Sequence, residues 1–148
     1  MATVEQTQQK VQRMLASSFS DVRLTTFGFS VPYGSSTVYV EVKDWGKDAK
    51  GEPQTIVYLW APIGRDVTLG PELYQWAATE GAGKYFGSVR VLPVEGSTTA
   101  NVYFEHTLLG DFIDPMELEN AVSLLYASAD QLDDVIHEKF GGKRFTDT

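Results

Sequence analysis

The sequence predicts an α+β fold, with an antiparallel sheet of about five strands and helices packed on it. The predicted elements follow the order α-β-β-β-α-β-β-α, and the strands come in consecutive, short-linked groups rather than alternating with helices. Hydrophobic residues make up 43% of the 148 residues, which is enough for one core. This length is typical of a single domain, so we assign residues 1–148 to one domain with residues 141–148 as a C-terminal tail.

The first element, residues 3–18, is predicted to be an amphipathic helix. Thr3 and Gln6 have the spacing of a capping box, in which each side chain binds the backbone N–H of the other residue. Hydrophobic residues recur along one narrow stripe: Val4, Val11, Met14, Leu15 and Phe19. One side of this helix is therefore expected to face the core.

Three predicted strands follow. Residues 22–31 alternate hydrophobic and polar side chains but change phase near Gly28, which indicates a bulge or a bend. A turn at 32–36 leads into a second strand over 37–42, where Val38, Val40 and Val42 alternate with polar side chains or Tyr39.

A polar loop over 44–53 precedes the third strand, 55–61, which is hydrophobic on both faces. Ile56, Tyr58 and Trp60 share one face, and Val57, Leu59 and Ala61 share the other. Such a strand is expected at the centre of a sheet.

The second half of the chain adds a helix over 69–83, with Pro71 at its first position and Gly81 and Gly83 at its end. Its apolar side contains Leu73, Tyr74, Trp76 and Ala77. Two strands, 88–94 and 100–109, follow.

A long helix runs from Pro115 to about Phe140 and stops at Gly141-Gly142. Its core-facing seam is Leu118, Val122, Leu125, Ala129, Leu132, Ile136 and Phe140. The seam is continuous, so this helix is expected to cover much of the sheet.

Composition narrows the function classes. The 20 acidic and 12 basic side chains give a net charge of -8, which argues against nucleic acid or a membrane surface as partner. Cysteine is absent, so disulfides, thiol catalysis and cysteine-based metal sites are excluded. The polar N-terminus resembles no signal peptide, and no apolar run approaches the ~20 residues of a membrane span. We therefore expect a soluble, cytoplasmic protein.

The segment EHTLLGDFIDPMEL (105–118) is the stretch that most resembles a catalytic or metal site. Asp114, followed by Pro115 and Glu117, matches a helix N-cap in which both carboxylates bind free backbone N–H groups. His106 shares a strand face with hydrophobic residues, whereas Glu105 points to the other face, so the two cannot form an acid–base pair. We interpret the segment as architecture, with a hydrolase site around His106, Asp111 and Asp114 as an alternative. No metal site is expected, because two histidines without a ligand pattern are a weak metal signal.

Aromatic residues exceed what a sheet covered on one side requires. Either helices cover both faces and the rings fill the core, or an exposed apolar patch pairs with a second copy or holds a peptide.

The order of elements resembles the type III secretion chaperone-like superfamily, which includes the CesT-like and YbjN-like families. The runs LGPELYQWAATEG, YFGSVRV and VYFEHTLLGDFIDPMELENAV are similar to actinobacterial YbjN-type peptide-binding chaperone domains. The resemblance covers residues 3–140 and implies a small acidic cytoplasmic protein, often a dimer, that holds an extended segment of a client. It implies no cofactor and no catalysis.

We therefore expect a non-enzymatic chaperone-like domain whose partners are a client protein or peptide and a second copy of itself. The candidate contact residues are Tyr39, Tyr58, Trp60, Tyr74, Trp76 and Phe86. The net charge favours clients that carry Lys or Arg beside apolar anchors. The alternative is a regulatory or small-ligand-sensing domain of YbjN type with a pocket beside His106 and Trp60.

Overall fold

The structure is a computed structural model that describes residues 3–81 and 85–144. The described residues form three helices and six strands. The helices are α1 (Val4–Ser18), α2 (Pro71–Thr79) and α3 (Pro115–Phe140). The strands are β1 (Arg23–Leu24), β2 (Gly28–Tyr33), β3 (Ser36–Lys47), β4 (Pro53–Thr68), β5 (Ser88–Pro93) and β6 (Thr99–Leu109). The α+β fold is confirmed, with six strands where about five were predicted.

The six strands form one antiparallel sheet in the order β1-β2-β3-β4-β6-β5. β4 lies near the middle and pairs with β3 on one side and β6 on the other. The central position predicted for the segment 55–61 is therefore confirmed.

The extra strand arises because the segment 22–31 is two strands rather than one bent strand. The N–H of Thr25 donates to the carbonyl of Gly28 at 2.9 Å, which closes a hairpin between β1 and β2. A Cβ at Gly28 would collide with the carbonyl oxygen of Val40, so glycine is needed there for the close approach of β3.

The turn between β3 and β4 is shorter than the predicted polar loop 44–53. β3 continues to Lys47 and β4 begins at Pro53, because backbone pairing does not require hydrophobic side chains. The Asp48 side chain accepts from the N–H groups of Lys50 (2.8 Å) and Glu52 (2.9 Å), which stabilises the shorter turn.

All three helices lie on one face of the sheet. α3 packs on β3, β4 and β6, α1 packs on α3 and β3, and α2 packs on β5. The core is formed by the strand residues that point toward them and by the α3 seam, whose members from Leu118 to Ile136 are buried as predicted. On β4, Val57, Leu59 and Ala61 are fully buried, whereas the alternate residues are only half-buried. No helix among the described residues covers that second face.

The ends of α1 and α3 follow the predicted signals, whereas α2 is shorter than the predicted 69–83 and the Glu117 carboxylate does not make its predicted bond to the backbone at the start of α3. Thr3 and Gln6 form the capping box of α1, and the Asp114 carboxylate accepts from the N–H of Glu117 at 2.8 Å at the start of α3. Gly141, with φ of 72°, ends α3. Gly83, predicted to help end α2, lies outside the described residues.

The first residues after α3 are hydrogen-bonded to β4 of the sheet. Arg65 and Lys143 exchange backbone hydrogen bonds of 2.9 and 2.7 Å. Residues 145–148 of the predicted tail lie outside the described residues.

Replacing Asp114 with Ala is expected to lower the free energy of unfolding by about 0.5–2 kcal/mol, because the N–H of Glu117 loses its acceptor. Urea denaturation measures the change, and Glu119→Ala, at an exposed position of the same helix, is the control. Equal stability of Asp114→Ala and the native protein would contradict a capping role.

Candidate functional site

The sheet face opposite the helices, which we call the open face, is the main candidate site. Directly opposed residues of antiparallel strands share a face, so the register defines its members. They include Tyr39, Glu41 and Lys43 on β3; Ile56, Tyr58, Trp60 and Pro62 on β4; Tyr103, Glu105, Thr107 and Leu109 on β6; and Ser88, Arg90 and Leu92 on β5.

Aromatic rings occupy the centre of the open face. The rings of Tyr39 and Trp60 stack with centroids 4.3 Å apart and planes 15° apart. Tyr103 meets Trp60 edge-on at 5.3 Å and 89°. Together with Tyr58, the next open-face residue on β4, these rings are all half-buried. We call Tyr39, Tyr58, Trp60 and Tyr103 the aromatic platform.

The polar tips of the two central rings are bound to carboxylates on the neighbouring strands. Trp60 Nε1 donates to Glu41 Oε2 at 2.9 Å, and the Tyr58 hydroxyl donates to Glu105 Oε2. Arg90 Nε lies 3.4 Å from Glu105 Oε1. Burial and then the Glu105 carboxylate raise the pKa of Tyr58, so its hydroxyl stays protonated and can keep donating. These bonds hold the two rings in place, and both rings remain half-buried rather than fully covered.

The charges of the open face are balanced. Its carboxylates are Glu41 and Glu105, and its cations are Arg90 and Lys43, whose Nζ lies 4.8 Å from the centroid of the Tyr58 ring. The net charge of -8 is therefore carried by other surfaces. A preference for Lys or Arg in a partner has no source on this face.

A depression of about 170 Å³ lies at the edge of the aromatic platform. It is lined by Tyr39, Trp60, Pro62, Gly64, Arg65, Asn101 and Tyr103. Cavities of about 150 Å³ can hold a benzene molecule, so one phenyl-sized side chain fits this volume.

The edges of the sheet offer little backbone for strand addition. β1 has only two residues, so part of β2 is not paired with it. In that unpaired part of β2, Pro32 has no backbone N–H to donate. On β5, the N–H of Val89 donates to the carbonyl of Gly81 at 3.3 Å, and Pro93 again has no N–H. Short edges interrupted by proline disfavour pairing with another chain, so the face is the better binding surface.

A family model described as T3SS (YopN, CesT) and YbjN peptide-binding chaperone 1, TY-Chap1, matches residues 3–148. The chain belongs to the TY-Chap1 family. The resemblance to peptide-binding chaperone domains of the type III secretion and YbjN type is thereby confirmed at the level of the family, and such a domain is consistent with a protein partner. No curated protein matches the chain.

Within this TY-Chap1 domain, the six nominated contact residues do not form one surface. Tyr39, Tyr58 and Trp60 come together on the open face, as described above. Tyr74 is exposed on α2, and Phe86 stacks on His106 with ring centroids 4.3 Å apart. Trp76 is only 6% exposed and packs on Phe140, so its ring is unavailable as a contact. Tyr103 was not among the predicted contact residues. It is two residues before Glu105 on β6, so the sequence already predicts that Tyr103 and Glu105 share one face of that strand.

Among the described residues of this TY-Chap1 domain, His106 and Trp60 do not line a common pocket. His106 is directly opposite Leu59 and lies on the helix-covered face, whereas Trp60 is on the open face. His106 Nδ1 accepts from the N–H of Gly87 at 3.1 Å, and burial lowers the pKa of its imidazole, so the neutral form that accepts this bond is favoured.

The residues of the alternative hydrolase site have separate structural partners. Asp111 Oδ1 accepts from the backbone N–H of Thr55 at 3.0 Å and from its hydroxyl, while Asp114 caps α3. Across residues 3–81 and 85–144, no three His, Asp or Glu side chains are grouped as metal ligands. No helix in the same ranges is long and apolar enough to cross a membrane. TY-Chap1 is a family of binding domains and is not a known enzyme family.

Proposed function

We propose that the open face binds a segment of a client polypeptide, without catalysis and without a cofactor. The aromatic platform carries this proposal, because it places four half-buried rings on a sheet face that no described helix covers. Aromatic side chains dominate many protein interfaces, since each buries a large area and has few rotatable bonds.

The hydrogen bonds of the platform favour binding by reducing its entropic cost. Trp60 is held by Glu41, Tyr58 is held by Glu105, and the Trp60 ring is packed between Tyr39 and Tyr103. Side chains already fixed in a free protein lose little freedom when a partner arrives. The platform therefore presents a rigid apolar surface.

The strand edges of the sheet and the depression beside Trp60 indicate how a client segment would bind. Because the strand edges are short and interrupted by proline, the client contacts the face through its side chains rather than by adding a strand. One phenyl-sized side chain enters the depression beside Trp60, and neighbouring apolar side chains lie on the platform.

A peptide array distinguishes this mode from strand addition. Each bound peptide is synthesised again in three forms: two with the backbone nitrogens methylated at one or the other set of alternate positions, and one with its aromatic residues changed to Ala. N-methylation at either set of alternate positions should preserve binding, and loss of the aromatics should abolish it. Failure of the native protein to bind any peptide would contradict the proposed function, and loss of binding on N-methylation would contradict the proposed mode.

Self-association through α2 and the aromatics of the sheet remains a prediction. Tyr74 on α2 is 47% exposed, and the platform is uncovered in the isolated chain. Light scattering on a sizing column should give twice the chain mass of 16.4 kDa, and Tyr74→Ser should shift the equilibrium toward the single chain. A monomer at high micromolar concentration would contradict this prediction.

A further inference from the structure

A second concave surface lies away from the aromatic platform, between the end of α1, the β2–β3 hairpin and the middle of α3. We call it the hairpin groove; its volume is about 490 Å³. Phe19, Tyr33 and Tyr126 form its aromatic walls, with the Tyr126 ring centroid 6.3 Å from that of Phe19 and 4.8 Å from that of Tyr33.

The walls of the hairpin groove are fixed by polar contacts. The Tyr126 hydroxyl donates to the carbonyl of Val31 at 2.7 Å and is buried, so this ring is part of the structure. Tyr33, by contrast, is 68% exposed, and one side of its ring is open. Ser35 Oγ donates to Asp130 Oδ1 at 3.2 Å, which links the hairpin to α3 across the groove.

The charge of the hairpin groove is uncompensated. Asp130 is a lining residue, and the described lining contains no Lys or Arg. Among residues 3–81 and 85–144, Asp130 makes no ion pair, whereas Asp134, one turn along α3, is paired with Arg144 at 2.8 Å. The groove thus combines an exposed tyrosine ring, a carboxylate and serine hydroxyls.

We propose that the hairpin groove binds a polypeptide through an arginine or lysine side chain. The alkyl part of that side chain lies along the Tyr33 ring, and its cationic head binds the Asp130 carboxylate. Aromatic faces attract cations, carboxylates bind guanidinium groups by charge-assisted hydrogen bonds, and long basic side chains bury their stems on apolar surface. The net charge of the chain predicts a preference for basic partners. The hairpin groove is the surface that would produce this preference, because the charges of the open face are balanced.

Two matched synthetic peptides test this site. The first is acetyl-Ala-Leu-Arg-Phe-Ala-amide, and the second carries citrulline, a neutral analogue of similar shape, in place of arginine. Each is titrated to millimolar concentration into ¹⁵N-labelled protein while the backbone amide signals are followed. The arginine peptide should shift the signals of Tyr33, Ser35 and Asp130 and should bind about three- to tenfold more tightly than the citrulline peptide.

Two variants complete the test. Asp130→Asn should reduce the affinity for the arginine peptide to that for the citrulline peptide, and Asp134→Asn should leave the difference between the peptides intact. Equal affinity of the two peptides for the native protein, or the absence of shifts at the three amides, would overturn the proposal. The result is independent of the open face, because none of these residues belongs to the aromatic platform.

Discussion

A Trp60→Ala variant is expected to lose about thirtyfold in affinity for a client peptide, because truncation of a hot-spot residue, a class enriched in tryptophan, costs about 2 kcal/mol or more. Trp60 contacts both Tyr39 and Tyr103, and its indole N–H is bound to Glu41. Its removal therefore separates the remaining rings and opens one wall of the depression. Fluorescence anisotropy with a labelled peptide selected from the array measures the loss.

Trp45→Ala is the matched control for this experiment. Trp45 is 55% exposed near the end of β3, beyond the aromatic platform, so its removal should leave peptide affinity within about twofold of the native value. Circular dichroism and the thermal midpoint establish that both variants are folded. A folded Trp60→Ala variant with native affinity would contradict the role of the platform.

Replacing Asp133 with Asn is expected to stabilise the protein by about 3 kcal/mol at pH 8 and to have little effect at pH 4. Asp133 is only 6% exposed on α3, and burial, followed by the charges of Asp134 and Asp130, raises the pKa of its carboxyl from 3.8 to about 6. The native fold therefore prefers the protonated form. The contribution of Asp133 to stability is fully present below pH 4 and is lost as the pH rises through 6.

Urea denaturation of both proteins at pH 4, 5, 6, 7 and 8 measures this effect. The gain from Asn should appear between pH 4 and 7 and then remain constant, since Asn does not titrate. Glu119→Gln, at an exposed position of the same helix, should leave the pH dependence unchanged. A gain for Asp133→Asn that is equal at pH 4 and pH 8 would contradict the raised pKa.

Local signals in the sequence predicted the helices well. The hydrophobic period of α3 and the flanking Asp114 and Gly141 determine where that helix begins and ends, because capping depends on neighbouring residues. For the segment 22–31 the sequence indicated only a bulge or a bend, because the bond that closes the hairpin, from the N–H of Thr25 to the carbonyl of Gly28, joins backbone groups and leaves no side-chain signal.

The candidate site was only partly predictable, because membership of a surface depends on register and packing. The pattern of β4 showed that Tyr58 and Trp60 share a face, and it left open whether a second helical layer covered them. The place of Tyr103 depends on the pairing of β6 with β4, which a single sequence does not reveal. Tyr74 and Trp76 were assigned to one side of α2, but packing on Phe140 buries Trp76 and leaves Tyr74 exposed.

Site-specific photo-crosslinking tests most directly whether the open face holds the client. A benzophenone amino acid is placed at Thr107, an exposed open-face position opposite Tyr58, and, in a second variant, at Glu138, an exposed position on α3 that does not line the hairpin groove. After illumination with a peptide from the array, mass spectrometry identifies each product. We expect a peptide adduct at position 107 and none at position 138. Adducts at position 138 alone, or only links between two copies of the chain at position 107, would contradict client binding on the open face.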